Sequence, residues 1–276
     1  MDTVASTISV AGLASRIGSG LAPIAIVIDV RRDEAFGQDA VMIAGALRRA
    51  PDQVAAWSQD LPKAADIVVY CAHGQKVSQS IAHALAAAGR KAAFLEDGMD
   101  AWMAAGAPTM KKMRAPDIPS ATPTRWVTRE RPKIDRIACP WLIRRFVDPL
   151  AEFLYVAPDQ VLLHAEREHA TPYDIPGVRF SHRGDRCSFD AMIEDFGIRD
   201  SALSDLAAIV RGADTGQLLL TPQSAGLLAV SLGLSALYPD DHVMLDHGMT
   251  VYDALYAWLR SARGESHNAT LFEKKT

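Results

Sequence analysis

Two short apolar runs rich in β-branched residues constrain the fold of the N-terminal part of this 276-residue chain. They are residues 24–30 (IAIVIDV) and 67–70 (IVVY). Continuous runs of this kind are typical of parallel strands that are buried on both faces. Strand-like segments at residues 43–47 and 92–95 alternate with helical patterns, which include residues 53–61 and 79–88. The alternation predicts an α/β domain with a mostly parallel sheet over residues 1–110.

The second half of the chain has a different pattern. A proline-containing linker at residues 111–124 separates the halves, because repeated Pro without a hydrophobic period is typical of an extended connector. Residues 125–262 are predicted to form an α-rich α+β domain, followed by a flexible tail at residues 263–276.

A few elements of this second domain can be placed from the sequence. We expect a helix over residues 135–146, entered through Pro140, since Pro suits a first helical turn. Short strands are expected at residues 153–156, 161–163 and 178–182. From Ser188 onward the apolar spacing is helical.

Composition bears on compartment and partners. The net charge of −4 and the absence of a recognition motif count against direct DNA binding. An odd set of three cysteines is not a disulfide framework and indicates a reducing compartment. The sequence shows no signal peptide and no apolar run of the ~18 residues that a membrane span needs. We therefore expect a cytoplasmic protein without a membrane partner, and the sequence does not fix its oligomeric state.

The most informative single residue is Cys71, which follows the apolar run at residues 67–70. A glycine-containing loop and a helical segment come next. Backbone N–H groups converge where a strand turns into a helix, and together with the helix N-terminus they favour negative charge. Such a site lowers a thiol pKa and suits a thiolate nucleophile. A buried structural cysteine is the alternative.

Charged residues also follow the first apolar run. Asp29 and Arg31 stand at the C-terminal end of the predicted strand, where α/β folds often frame a site. Two hypotheses remain open for them, a structural ion pair that braces a loop and a direct role in the chemistry.

Four ordered motifs give the first domain a resemblance to the rhodanese-like (sulfurtransferase) family. They are residues 28–31 (IDVR), 43–46 (IAGA), 69–78 (VYCAHGQKVS) and 95–108 (LEDGMDAWMAAGAP). The resemblance implies that Cys71 is the nucleophile. It would take sulfane sulfur from a small-molecule donor such as thiosulfate, hold it as a persulfide and pass it to a thiol acceptor.

The same resemblance implies an anion-binding and persulfide-binding loop after Cys71, with no cofactor required. Asp29 and Arg31 would support this loop, in which Lys76 stands where the family often has Arg. The loop residues are Ala72, His73, Gly74, Gln75, Lys76, Val77 and Ser78.

The second domain resembles the C-terminal domain of the chromate-resistance (ChrB-type) family. The residues that carry this resemblance are 131–143 (RPKIDRIACPWLI), 153–156 (FLYV), 181–190 (SHRGDRCSFD), 209–214 (IVRGAD) and 247–256 (HGMTVYDALY). It implies a link to chromate resistance in a family that includes chromate-responsive regulators.

Potential metal ligands are scattered through this domain. His, carboxylate and thiolate side chains bind first-row metals, and the best set for a divalent metal is His182, Asp190 and Asp214. The alternative is a buried ion-pair network in which Asp135 and Asp214 brace Arg136 or Arg183. A locally basic run over residues 125–145 could meet chromate or another oxyanion, although a solvated face is the preferred interpretation.

These observations lead to one main functional hypothesis and two alternatives. The main one is a sulfurtransferase that carries a persulfide on Cys71 and serves chromate or oxyanion stress. The first alternative is a chromate- or metal-responsive sensor and transcriptional regulator. The second is thiol-dependent chromate reduction.

Overall fold

The computed structural model describes residues 5–20, 25–112 and 123–265. Residue 24 of the predicted first strand, most of the predicted linker and nearly all of the predicted tail lie outside these ranges. Within them, no helix has the length and apolar character needed to cross a membrane.

The N-terminal half is an α/β unit built on a parallel sheet, as the sequence predicts, and this sheet has five strands. The single strand expected at residues 43–47 is wrong, because residues 44–46 turn between two separate strands, with Gly45 at φ 74°. The strands of this half are β1 (Ser6–Ile8), β2 (Ala25–Asp29), β3 (Val41–Ile43), β4 (Leu47–Arg48), β5 (Asp66–Tyr70), β6 (Ala92–Leu95) and β7 (Thr109–Lys111). Of these, β3 and β7 form a separate antiparallel pair. Its helices are α1 (Val10–Arg16), α2 (Asp33–Gln38), α3 (Val54–Trp57), α4 (Lys76–Ala87) and α5 (Gly98–Ala104). The sheet order is β1-β6-β5-β2-β4, which places β5 and β2 side by side at its centre.

The C-terminal half combines a small parallel sheet with a helical layer. Its strands are β8 (Arg125–Arg129), β9 (Glu152–Val156) and β10 (Thr171–Pro172), in the order β10-β8-β9. Its helices are α6 (Asp135–Phe146), α7 (Val161–Arg167), α8 (Ser188–Phe196), α9 (Ser201–Asp214), α10 (Ser224–Leu237) and α11 (Asp241–Ala257), which continues as a π-helical turn, Trp258–Ala262. This architecture confirms an α-rich α+β second half.

Two of the expected strands in this half are wrong. Residues 161–163 begin α7, where Val161 is buried while Leu162 and Leu163 are 60% and 55% exposed. One buried position per helical turn explains the apolar run without a strand. Residues 178–182 form no strand and contribute only an isolated bridge between Tyr173 and Phe180.

The expected entry of α6 through Pro140 is also wrong, because the helix begins at Asp135 and Pro140 lies inside it. Pro has no N–H, so the carbonyl of Arg136 loses its helical partner. The Tyr155 hydroxyl on β9 donates a hydrogen bond to that carbonyl at 3.3 Å. A neighbouring strand therefore compensates for the proline.

One apolar core runs through both halves. The N–H of Gly45 donates to the carbonyl of Phe146 at 2.7 Å, and the N–H of Arg199 donates to the carbonyl of Thr109 at 3.1 Å. Gly18, at φ 73°, lies so close to the Tyr256 ring that a Cβ there would stand 2.5 Å from it. The halves therefore pack against each other through backbone as well as side chains.

Candidate functional site

Cys71 follows β5 directly and precedes the loop that leads into α4. The residue is only 7% exposed, while His73, Gln75 and Lys76 on the loop are exposed. The cysteine therefore lies at the base of the loop, and polar side chains form its rim.

The Cys71 loop is fixed by close backbone contact with the start of α5. Gly98 has φ 59°, and a Cβ at this position would stand 2.4 Å from both the Cys71 carbonyl oxygen and the Gly74 nitrogen. The N–H groups of Met99 and Asp100 donate to the carbonyls of Cys71 and Ala72 at 2.9 and 3.1 Å. Glycine at position 98 is what allows the two backbones to approach.

The backbone amides of the loop are a second feature of the site. Within the described part of the chain, the N–H groups from Ala72 to Ser78 donate to no protein acceptor. They lead into the N-terminus of α4, where the helix dipole adds positive character. Consecutive unpaired N–H groups at a helix start bind anions.

Ser78 contacts the sulfur directly. Its Oγ lies 3.2 Å from Cys71 Sγ and also donates to the Gln75 carbonyl at 3.2 Å. Ser78 is fully buried in the first turn of α4, so its hydroxyl is held in place. The hydroxyl can accept from the thiol or donate to a thiolate.

Exposed polar side chains lie on the loop rim. The His73 Nδ1 lies 2.7 Å from the Asp100 Oδ2, and both side chains are about two-thirds exposed, at 66% and 68%. Lys76 is exposed at the first position of α4, and with Arg32 and Asp52 it lines a groove of about 340 Å³. Val77 instead packs against the apolar core on this side of the sheet.

Asp29 and Arg31 form a buried ion pair, with both side chains at 0% exposure. Arg31 Nε donates to both Asp29 oxygens at 3.0 Å, and the Tyr70 hydroxyl donates to Asp29 Oδ2 at 2.7 Å. Burial and the Asp29 charge raise the pKa of Tyr70 well above its usual value, so the phenol stays a donor. The arrangement supports the bracing hypothesis, since it joins the ends of β2 and β5 next to Cys71.

A second cluster lies in the C-terminal half, where three carboxylates surround one imidazole. The His182 Nε2 lies 3.2 Å from Asp214 Oδ2, 3.5 Å from Asp174 Oδ1 and 3.6 Å from Asp135 Oδ2. Asp135, His182 and Asp214 each place one ligand atom within 4.8 Å of the others. Burial and the neighbouring carboxylates raise the pKa of Asp135 well above its usual value and also raise the pKa of Asp214.

The cluster contains two of the three metal ligands expected from the sequence, His182 and Asp214. It does not include Asp190, whose carboxylate accepts from the Cys187 N–H and pairs with Arg211 at 2.9 Å. The third place is taken by Asp135, which the alternative hypothesis put together with Asp214 in an ion-pair network. Its Oδ2 accepts from the N–H of Ser188 at the start of α8.

Asp174 is a residue of this cluster that the sequence did not indicate. It follows β10 in a left-handed conformation, φ 53°, and contacts His182, Arg129 and Arg136. A polar residue with positive φ is an uncommon feature that a sequence alone does not reveal.

The basic run is a solvated face only in part: Arg125 and Arg131 are exposed, whereas three other arginines of the run pair with carboxylates of the domain. Arg129 and Arg136 pair with Asp174 at 2.9 and 3.4 Å, and Arg145 makes a two-pronged contact with Asp253 at 2.8 Å. Arg136 therefore pairs with Asp174 rather than with Asp135 or Asp214. Arg183 pairs with Asp195.

The other two cysteines are less suited to nucleophilic chemistry than Cys71. Cys139 and Cys187 are fully buried and free of disulfides. Burial first, and then the charge of Asp135, raises the pKa of both thiols. A thiol with a raised pKa forms little of the reactive thiolate.

Comparisons with known proteins match each half separately. The rhodanese-like domain family matches residues 9–105, and the family described as ChrB, C-terminal domain, matches residues 126–259. The protein ChrB of Cupriavidus metallidurans is 36% identical over 162 residues, which cover 54% of this chain and 46% of that protein. The chain thus spans less than half of the length of this curated relative.

Two solved structures are similar over part of the chain. A rhodanese-related protein from Thermoplasma volcanium is 24% identical, with a TM-score of 0.33, and the match covers 38% of this chain and 96% of that one. A thiosulfate sulfurtransferase from Pseudomonas aeruginosa is 25% identical, with a TM-score of 0.33 over 40% of this chain and 20% of that one. On the family matches, this chain joins a rhodanese-like domain to a domain of the ChrB C-terminal family.

Proposed function

We propose that the chain takes sulfane sulfur from a small anionic donor and passes it to a thiol acceptor through a persulfide on Cys71. This proposal rests on the groups that surround the Cys71 sulfur. Ser78 Oγ lies 3.2 Å from Sγ, and the unpaired N–H groups of residues 72–78 lead into the start of α4. The match to the rhodanese-like family over residues 9–105 supports it.

With thiosulfate as the donor, the transfer needs no additional oxidant or reductant. The Cys71 thiol first loses its proton to solvent, and the thiolate attacks the outer sulfur of the donor. A bond forms between Sγ and that sulfur, while the bond to the sulfonate sulfur breaks and sulfite leaves with the electron pair. An acceptor thiolate then attacks the outer sulfur of the persulfide, which restores the Cys71 thiolate.

The loop residues have separate parts in this scheme. The N–H groups of residues 72–78 stabilise the negative charge of the thiolate and then of the persulfide. The Ser78 hydroxyl donates a hydrogen bond to the charged sulfur. Lys76 and Arg32 line the groove at the start of α4 together with Asp52, and the excess of positive charge attracts the anionic end of the donor.

The second domain connects this activity to oxyanion stress. We base this on its match to the ChrB C-terminal family and on the resemblance of residues 125–262 to the chromate-resistance family. A thiol carrier must be kept reduced, and the three free cysteines suit a reducing compartment such as the cytoplasm.

The proposal is tested by the intact mass of the full chain after incubation with thiosulfate and removal of excess donor. Wild type is expected to gain one sulfur atom, which a small thiol then removes. Cys71→Ser is expected to gain none. Cys139→Ser and Cys187→Ser are the controls for the two buried cysteines, and both should still gain sulfur if they fold. Uptake by Cys71→Ser equal to that of wild type would overturn the proposal.

A metal-responsive regulator is the second candidate, and the Asp135, His182 and Asp214 cluster favours it. In this case metal would alter binding to a partner, whereas Cys71→Ser would leave that response unchanged. Comparing the response of wild type and Cys71→Ser separates the two candidates.

A further inference from the structure

We propose that Asp135, His182 and Asp214 form a binding site for one divalent first-row transition-metal ion. We refer to these three residues as the α6/α9 cluster, after the helices that carry the two carboxylates. The site lies in the C-terminal half, and the proposal does not depend on the chemistry of Cys71.

The spacing of the ligand atoms fits an ion better than a hydrogen-bond network. His182 Nε2 lies 3.2 Å from Asp214 and 3.6 Å from Asp135. Ligand bonds of about 2.1 Å separate neighbouring donors by about 3.0–3.4 Å in octahedral and tetrahedral sites, a range that includes the distance to Asp214 and is slightly shorter than the distance to Asp135. By contrast, one imidazole nitrogen carries at most one hydrogen, so it cannot donate to several carboxylates at once.

Independent support comes from a buried oxygen of Asp135 that has no hydrogen-bond partner. The residue is 1% exposed, and its Oδ1 is a buried atom without a hydrogen-bond partner. Its other oxygen accepts from the N–H groups of Ser188 and Phe189. A buried carboxylate oxygen left unpaired costs free energy. A cation in the α6/α9 cluster would satisfy it.

The charges favour a cation over an oxyanion. Asp214 is the last residue of α9, where the negative end of the helix dipole repels its carboxylate. The two arginines nearby, Arg129 and Arg136, already pair with Asp174. Among the described residues, Asp135 and Asp214 consequently have His182 as their ion-pair partner and no arginine or lysine within ion-pair distance.

The donor set indicates which ions to expect. One imidazole and two carboxylates suit Mn²⁺, Fe²⁺ and Zn²⁺, whereas Mg²⁺ and Ca²⁺ prefer oxygen donors only. The ion can enter from solvent because His182 is 43% exposed and lines an open cavity of about 690 Å³. Solvent in this cavity can complete the coordination shell.

The test is calorimetric titration of the metal-stripped full chain with Zn²⁺ and, separately, with Mn²⁺. Wild type is expected to bind one ion per chain, and His182→Ala is expected to weaken binding by about 100-fold or more. His182 is half exposed, so its truncation leaves no large cavity in the core. Asp214→Asn gives a second variant, and circular dichroism verifies that both remain folded.

Matched controls come from the same half of the chain. His164→Ala and Asp246→Asn remove an imidazole and a carboxylate outside the α6/α9 cluster and should bind like wild type. Cys71→Ser should also keep full metal binding, which separates this proposal from sulfur transfer. Absence of stoichiometric binding in wild type, or equal binding by folded His182→Ala and Asp214→Asn, would overturn the site.

Discussion

The Ser78 hydroxyl oxygen lies 3.2 Å from the Cys71 sulfur, across the loop that connects β5 to α4. The serine is buried in the first helical turn, and its second contact is the Gln75 carbonyl. Its single hydrogen can therefore move between that carbonyl and the sulfur as the thiol ionises.

Replacing Ser78 by Ala is expected to slow persulfide formation by about 10- to 100-fold, because a hydrogen bond to a charged group is worth about 1.5–3 kcal/mol. The measurement is the rate of sulfur gain on Cys71, followed by mass under single-turnover conditions. Ser15→Ala is the control, since that side chain is exposed on α1 and does not line the groove beside Lys76. An unchanged rate for Ser78→Ala would exclude a role of its hydroxyl in transfer.

Gly98→Ala is expected to lower the free energy of unfolding by about 1–3 kcal/mol and to impair sulfur gain. The added Cβ would stand 2.4 Å from backbone atoms of Cys71 and Gly74, which cannot move aside as a flexible side chain can. Urea unfolding and the single-turnover rate measure both effects. Gly89→Ala is the matched control, because Gly89 also has positive φ but has no atom within 4 Å of the added Cβ. Equal losses in both variants would show that backbone conformation alone is responsible.

Asp29→Asn distinguishes a bracing role from a catalytic one. Removing the carboxylate leaves the fully buried Arg31 short of its main counter-charge, and we expect a loss of about 3–5 kcal/mol in unfolding free energy. Asp66→Asn, which disturbs the more exposed Arg16–Asp66 pair, should cost at most about 1 kcal/mol. Chemical denaturation compares the two. A stable Asp29→Asn protein without sulfur transfer would instead indicate a direct role in the chemistry.

The stability contributed by Asp195 is expected to depend on pH. Burial opposes ionisation, but the hydrogen bonds and charges of Arg183 and Arg179 outweigh it and lower the pKa of Asp195. The ionised carboxylate therefore stabilises the fold above its ordinary pKa, and this contribution is lost as the pH falls through the lowered folded value.

The corresponding measurement is the unfolding free energy of Asp195→Asn beside wild type. We expect a loss of about 1 kcal/mol near pH 7 that diminishes towards about pH 3. Glu152→Gln, from an exposed pair with Arg125, should show a smaller effect at both pH values. A loss from Asp195→Asn that is independent of pH would contradict the assignment.

The Cys71 loop could be predicted from sequence because its signals are local. The apolar run, the cysteine and the glycine lie within a few positions of one another, and strand β5 and helix α4 appear where the pattern places them. The helix starts at Lys76 rather than at residue 79, since loop residues do not mark a boundary sharply.

The α6/α9 cluster could be predicted only in part because it depends on distant contacts. His182 and Asp214 were recognised as candidate ligands, but the choice between Asp135 and Asp190 is decided by α8. Its N-terminal N–H groups hold Asp135, while Cys187 and Arg211 engage Asp190. The short run at residues 161–163 was assigned to a strand because a few apolar residues do not distinguish strand from helix.

The continuous core between the halves has a consequence for how the molecule melts. Gly45 and Phe146 share a backbone hydrogen bond, and Tyr256 and Phe146 pack against Gly18 from the other half. Loss of either half would expose this apolar surface to water. The chain is therefore expected to unfold in a single cooperative transition, so that damage in one half is felt as a lower melting temperature of the whole.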